Sequence, residues 1–469
     1  MRRAGILAPL LLGTVLSACV AGPPPVVDTP PPTLPAGFRF EPPPATAASV
    51  AGLLPVADSG FLALADMAQA NAPGLLEAMA RVEQARAQAA RAGANRGPNI
   101  GANLTARGER TNPDQFGADL PPGIEFDTTR ATYGANLSAS WDPDIFGRLR
   151  AAERAALARG EAASWDADGV RLALMSEVAG AVIDWRSLSL QEEALRRDLD
   201  AAAELARLAG VREKAGIAPG FDRLRAEAAA AASRSRIDAL ASERGRIMGR
   251  LVTLTAVPAS EVLAALGRDA PLVLPPAPAA LPAQLLANRP DVLAASARLA
   301  AADADLAAAA AERFPRFDLS ATIGLLAFGI GGLFDDDALV GSVAAGLGAP
   351  LFDSGRIAAE IDGAAAGKGA AFEAYRGTIW QALGDAETGY ALIAAADREA
   401  EAAEAEAQLS ARNAQLADIR YRAGLSDFLT VLEARRSADG ADARAAAALG
   451  RAARARILLW QALGGSDLP

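Results

Sequence analysis

The chain has 469 residues, of which 51% are hydrophobic, and carries 46 basic against 56 acidic side chains, a formal net charge of −10. An acidic balance opposes a phosphate backbone, so no nucleic-acid partner is expected. With no histidine, one cysteine and no phosphate-binding glycine motif, neither enzyme chemistry nor a cofactor is expected.

Met1–Cys19, MRRAGILAPLLLGTVLSAC, places two arginines before an apolar stretch that ends in small residues, the layout of a secretory leader. Leu16-Ser17-Ala18-Cys19 resembles the lipobox of bacterial lipoproteins, which makes 1–18 the signal and Cys19 the lipidated N-terminus. A transmembrane anchor is the alternative, but the apolar run Ala4–Ala18 is shorter than the roughly 20 residues needed to span. Because Cys19 is the only cysteine, there is no intrachain disulfide and stability rests on packing and assembly. Residues 19–58, with PPPVVDTPPPTLPAG and EPPPA, favour extended backbone and are expected to act as a tether.

The body is a long-range repeat with halves at 59–270 and 285–469, joined by a Pro-rich crossover at 271–284. Asn71–Pro98 and Asn288–Pro315 match as short helices of equal length. Gly147 and Gly216 are spaced as Gly355 and Gly424 are, and nothing inside either span reads as a loop. Helices of that length run about 100 Å. Each then breaks, at Ile217–Gly220 or Leu425–Asp427, and restarts with apolar residues at helical spacing, giving two helical hairpins that end near Val257 and Leu463.

Between the short and long helix of each half the period changes to two. Ile100, Ala102, Leu104 and Ala106 alternate with Asn103, Thr105 and Arg107; Tyr133, Ala135, Leu137, Ala139 and Trp141 alternate with Thr132, Asn136, Ser138 and Ser140. Phe317, Leu319, Ala321, Ile323 and Leu325 oppose Asp318, Ser320 and Thr322, and a Gly-rich strand follows over Leu339–Leu347. Polar or Gly-rich loops are expected at Thr111–Asp127 and Gly331–Asp337. With an export signal, and with Tyr133, Trp141 and Phe317 near strand ends, these strands read as membrane strands, apolar outward and polar toward a lumen. Four strands cannot close a barrel, and open edges in lipid are costly, so the chain must oligomerise. Three copies supply twelve strands.

Apolar residues along the long helices recur at quasi-heptad spacing, as in Leu188/Leu195, Leu383/Tyr390 and Leu409/Leu416, favouring nearly parallel neighbours. The fold class is therefore mainly α with a four-stranded β contribution.

This arrangement resembles the TolC/OprM outer-membrane efflux proteins, and the lipobox makes it most similar to the NodT-like lipoprotein branch. The resemblance is carried by Trp141-Asp142-Pro143-Asp144-Ile145-Phe146-Gly147-Arg148, similar to the family's strand-to-helix junction, and by the bend Tyr421-Arg422-Ala423-Gly424-Leu425-Ser426-Asp427. The first bend departs from the pattern, with Arg212 where an aromatic often sits and Ala218-Pro219 in place of a polar pair. The resemblance implies a homotrimeric channel-tunnel protomer anchored by lipid in the outer membrane. It implies a periplasmic adaptor and an inner-membrane pump as partners, in an efflux or type I secretion system. It also implies that Arg212, Gly216, Tyr421, Arg422, Gly424, Leu425 and Ser426 form the periplasmic tip that meets the adaptor, and that Glu433 or Asp427 constricts the pore. For either carboxylate the alternative is a solvated helix-start acid favoured by the dipole. The competing reading of the whole chain is a lipid-anchored periplasmic adaptor or a coiled-coil spacer; an adaptor would carry one hairpin flanked by soluble β-domains.

Overall fold

The computed structural model describes residues 26–31, 33–42, 49–112, 129–217, 219–267, 270–280, 282 and 287–465. The leader, Cys19 and most of the expected loop Thr111–Asp127 lie outside the described residues. Helices α1 (Ser59–Asn71) and α2 (Pro73–Ala94) precede strands β1 (Asn99–Arg110) and β2 (Thr129–Trp141). The long α3 (Arg148–Lys214), then α4 (Gly220–Thr255) and the short α5 (Ala259–Leu266), complete the first half. The second half repeats the order with α6 (Pro290–Ala311), β3 (Arg316–Ala327), β4 (Leu339–Gly348), α7 (Arg356–Arg422) and α8 (Phe428–Ala462). Both long helices are unbroken over 67 residues, as their spacing predicts. Alanine, leucine, arginine and glutamate supply the propensity, and Pro73 and Pro290 open the two short helices at the position where a missing N–H costs nothing. Among the described helices none alone is long and apolar enough to cross a membrane.

The chain divides into two compact units. The first comprises Glu83–Glu161 and Ala297–Glu373 with residues 26–30. Its sheet is antiparallel in the order β1-β2-β3-β4. Register puts Ile100 opposite Ala139, Ala139 opposite Ala321 and Ala321 opposite Val343; the neighbouring row joins Ala102, Leu137, Ile323 and Gly341. The other face joins Asn103, Asn136 and Gly324, and Gly101, Ser138, Thr322 and Ser342. The period-two pattern in each strand is thus in phase across all four, and the apolar face is open: Leu104 is 83% exposed and Val343 86%.

Each sheet-to-helix corner uses an aspartate as a cap. Asp144 accepts from Leu149 N (2.9 Å) and Arg150 N (2.8 Å), while Asp142 accepts from Asp144 N (2.8 Å) and Arg148 (3.1 Å). In the second half Asp353 accepts from Gly355 N (3.0 Å) and Ile357 N (2.8 Å). These bonds hold the Asp353 carboxyl below the usual range, the Ile357 N–H contributing most. The Trp141 indole donates to Arg96 O at 2.9 Å, and Phe146 stacks on Phe314 at 5.0 Å, so the corner is also tied to the ends of α2 and α6. Val27 packs against a small core of Leu306, Ile357 and Ile361.

The second unit comprises Pro31–Val82, Ala162–Ser296 and Ala374–Pro469. Its core gathers Phe61, Leu64, Met175, Ile379, Tyr390 and Trp460, fully buried, with Ala179, Ala382 and Ala386, whose small side chains let helix backbones approach. The Pro-rich stretch differs from the free tether expected of it. Phe38 is buried with its ring 5.6 Å from Tyr390, Arg39 N donates to Glu387 at 2.9 Å, and Leu53 and Leu54 are in the core. Apolar residues spaced between the prolines give an extended chain something to bury, so its described part is strapped down. The crossover is pinned likewise, by Tyr390 Oη donating to Pro278 O (2.9 Å) and Arg456 Nε to Pro275 O (2.7 Å).

One interaction holds three elements of this unit. Asp58 caps α1 by accepting from Gly60 N and Phe61 N, and receives Arg186 of α3 at 2.9 and 3.0 Å; Arg186 also donates to Leu266 O at the end of α5 (2.8 Å). Burial works to raise the Asp58 carboxyl, but the Arg186 bonds and charge with the two backbone N–H groups outweigh it and hold the group low. A depressed carboxylate contributes stability that is present above its ordinary value of 3.8 and lost as pH falls below it. Arg186→Ala, which strands a buried carboxylate, should destabilise by about 3–5 kcal/mol and remove that part of the acid sensitivity. Thermal unfolding of the detergent-extracted protein from neutral to acid pH measures both; a wild-type melting temperature in the variant would refute the assignment.

Candidate functional site

The two helix bends lie in the second unit and have the same backbone construction. After α3, Gly216 N bonds to Glu213 O (2.9 Å) and Ile217 N to Arg212 O (3.0 Å); after α7, Gly424 N bonds to Tyr421 O (3.0 Å) and Leu425 N to Arg420 O (2.8 Å). These are paired Schellman closures, which require a left-handed residue just past the helix. Gly216 has φ +72° and Gly424 φ +73°, with no atom near where a Cβ would stand at either position, so backbone conformation alone demands glycine.

The restarts differ. Asp427 caps α8, accepting from Thr430 N and Thr430 Oγ1 at 2.7 Å each, and these bonds, the backbone one foremost, lower its carboxyl below the usual range. At the first bend Pro219 stands at the cap position of α4 with φ −75° and no side-chain bond. Where the sequence departs from the family pattern, Arg212 places its guanidinium 4.9 Å from the Tyr421 ring, which in turn meets Phe428 edge-on at 6.0 Å. The two bends are thereby joined over a core of Leu205, Ala209, Ala226, Phe428, Val431 and Leu432.

Arg212, Gly216, Tyr421, Arg422, Gly424, Leu425 and Ser426 are thus brought into the paired bends. Arg422 turns along its own helix to Asp418 at 2.8 Å, while Leu425 (70% exposed) and Ile217 (68%) project into solvent. Glu433 is exposed between buried Leu432 and Ala434 and has no hydrogen-bond or ion-pair partner among the described residues. Asp427, by contrast, is committed to its cap. Sequence reasoning missed Asp198 and Ser233, buried where α3 and α4 pack, and Asp439 of α8 beside them. Nothing in the surrounding acid-and-arginine helices marks them.

The outer membrane efflux protein family model matches residues 64–257 and 281–465. The chain belongs to this outer membrane efflux family. It is similar to the pyoverdine export outer membrane protein OpmQ of Pseudomonas aeruginosa, 33% identical over 396 residues that cover 84% of this chain and 83% of OpmQ. Nodulation protein T of Rhizobium leguminosarum bv. viciae is 27% identical over 98% of this chain and 93% of its own. The solved outer-membrane channel OprN superposes with a TM-score of 0.84 at 28% identity, covering 94% of this chain and 99% of OprN. The TolC-like channel fold expected of the sequence is therefore the fold of this protein, and its family is one of channels rather than enzymes.

Gly424→Ala should destabilise by about 1–2 kcal/mol from the left-handed backbone alone. Arg212→Ala should cost about 0.5–1 kcal/mol through the lost ring contact and leave the bend backbone intact. Limited proteolysis within 205–230 and 414–435 reads both: cleavage should rise strongly in the first variant and modestly in the second, and equal cleavage in wild type and Gly424→Ala would contradict the backbone argument.

Proposed function

We propose that three copies of this chain form an outer-membrane efflux channel that receives cargo from a periplasmic adaptor and an inner-membrane pump. The observation that carries the reading is the four-stranded sheet with one continuous, exposed apolar face. Such a face in water is a large uncompensated cost, whereas in lipid it is solvated. Strands of 10 to 13 residues suffice to cross a bilayer. β1 and β4 each leave an edge without a strand partner among the described residues, and pairing the β1 edge of one copy with the β4 edge of the next closes twelve strands. Membership of the outer membrane efflux family supports placement in the outer membrane with helices extending into the periplasm.

Within that reading the paired bends form the periplasmic tip, and exposed Ile217 and Leu425 are the surface offered to adaptor hairpins. Glu433 is the constricting acid and Asp427 the helix cap, because only Glu433 has an uncommitted carboxylate. Cys19 carries the lipid. The adaptor reading fits less well, since two equivalent bends and a single in-phase sheet replace one hairpin with flanking soluble domains.

Light scattering of the detergent-extracted protein should give a trimer. A stable monomer that keeps its β-signal would overturn the proposal. Glu433→Ala should leave that trimer intact, raise single-channel conductance in planar bilayers and weaken block by divalent cations, since three mutually repelling carboxylates around an axis bind cations. Asp427→Ala should instead cost about 1 kcal/mol of helix stability and leave divalent block unchanged. Block altered only in Asp427→Ala would transfer the gate to that residue.

A further inference from the structure

The loop from β3 to β4 is ordered by its own backbone and leaves its large apolar side chains outside. Gly332 N donates to Gly329 O (3.1 Å), Asp335 N to Gly332 O (3.3 Å) and Ala338 N to Asp335 O (3.0 Å), closing successive 3₁₀ turns over Ile330–Phe334 and Asp336–Ala338. Yet Ile330 is 70% exposed and Phe334 84%, while Ala338 is buried. In water the opposite arrangement is expected, with the large apolar side chains covered first.

The sheet fixes the side on which the first turn lies. Ala327 ends β3 opposite Tyr133, on the same face as Leu325, which stands between Ala135 and Leu339. A Cβ on Gly332 would stand 3.7 Å from the Ala327 methyl, so the turn lies against the apolar face. Phe328 is placed differently: Arg130, in phase with Thr132 and Asn136 on the polar face of β2, sets its guanidinium 3.6 Å from the ring. Among the described residues Phe334 has no ring or cation partner. This end of the sheet is the one away from α3 and α7, which follow the opposite ends of β2 and β4.

We propose that Ile330 and Phe334 extend the lipid-facing surface beyond the strands and seat this turn at the headgroup boundary of the outer leaflet, with Asp335, Asp336 and Asp337 remaining in water. The inference rests on the apolar face of the sheet being the lipid-facing one. Continuity then selects lipid as the occupant, because the row through Leu325 and Leu339 leads directly to Ala327 and the turn against it. A turn whose backbone bonds are closed internally can enter an interface without stranding polar groups, and large apolar side chains there are removed from water. The three exposed carboxylates that follow limit how deep the turn sits, since an ionised acid is costly in hydrocarbon.

Gly331 offers a reporter position, because no atom lies near where its Cβ would stand and both apolar side chains stay in place. In a Cys19→Ser background, which removes the only cysteine, Gly331→Cys takes a single nitroxide label. The full-length trimer is placed in vesicles of phosphatidylethanolamine and phosphatidylglycerol, and collisions of the label with oxygen, which concentrates in hydrocarbon, are compared with collisions with a water-soluble nickel chelate. Labels at Val343→Cys, on the apolar face, and at Asp336→Cys supply the lipid and water references. The oxygen-to-nickel ratio at position 331 should lie well above the Asp336 value, and Ile330→Ser with Phe334→Ser should bring it down to that value. A ratio at position 331 equal to the Asp336 value, exclusion of both oxygen and nickel as in a turn folded into the channel mouth, or a ratio unmoved by the double substitution would overturn the proposal. The first comparison decides even where the doubly substituted trimer does not assemble. An aqueous signal at Val343 would sink the channel reading and this proposal with it, whereas a lipid signal at Val343 beside an aqueous one at position 331 sinks this proposal alone.

Discussion

An antiparallel sheet with two open edges and one apolar face has its options set by backbone chemistry. Each unpaired N–H or C=O would cost several kcal/mol in lipid, and among the described residues no strand covers the open edges of β1 and β4. Register is equally constrained. A slip of one residue between β1 and β2 would bring Asn103 and Thr105 into rows with Leu137 and Ala135, mixing the faces that the observed pairing keeps apart. The corners inherit this precision: Asp144 and Asp353 cap the first turns of α3 and α7 with bonds under 3 Å, so the strand ends fix where each long helix starts.

The two halves share spacing but not chemistry, and the differences compensate. Both bends close with a left-handed glycine, yet only the second restarts on a side-chain cap. Pro219 gives the first restart a fixed φ and no side-chain acceptor, only its carbonyl receiving Asp222 N at 3.2 Å. Arg212 lies in the last turn of α3 and reaches across to the Tyr421 ring. A cation at a helix C-terminus is already favoured by the dipole, so the same residue serves its own helix and links the bends.

Much of this was legible in the sequence because it rests on period and spacing. Alternation over about ten residues placed the four strands, and equal Gly-to-Gly intervals placed the long helices, since periodicity is imposed by which face is buried. The strapping of 33–42 was not legible: proline content reports the lack of a local core, while Phe38 finds its partner, Tyr390, some 350 residues away. The pair of Asp58 with Arg186 escaped for the same reason, each being an ordinary polar residue until the fold encloses it. At the bends the motif located the residues, but only the Thr430 bonds separated Asp427 as a cap from Glu433 as an uncommitted acid.

Alanine-rich helix walls carry a particular weakness, because sliding one helix along another by a turn replaces alanine with alanine and changes the buried area little. Apolar burial at roughly 25 cal/mol per Å² then sets closeness without setting register. Directional groups must supply it, and the second unit uses buried arginines. Arg186 takes Asp58 and the carbonyl of Leu266; Arg289 takes Asp291, Asp385 and the carbonyl of Ala462; Arg456 takes Asp397 and the carbonyl of Pro275. In each case one fork of the guanidinium meets a carboxylate while another N–H meets a carbonyl at a helix end or in the crossover, where no intrahelical donor is available. A buried ion pair adds little net stability over a well-packed apolar replacement, but a fork with two acceptors on different elements has a single geometry. Alanine sets how closely the helices lie, and the arginines set at which turn.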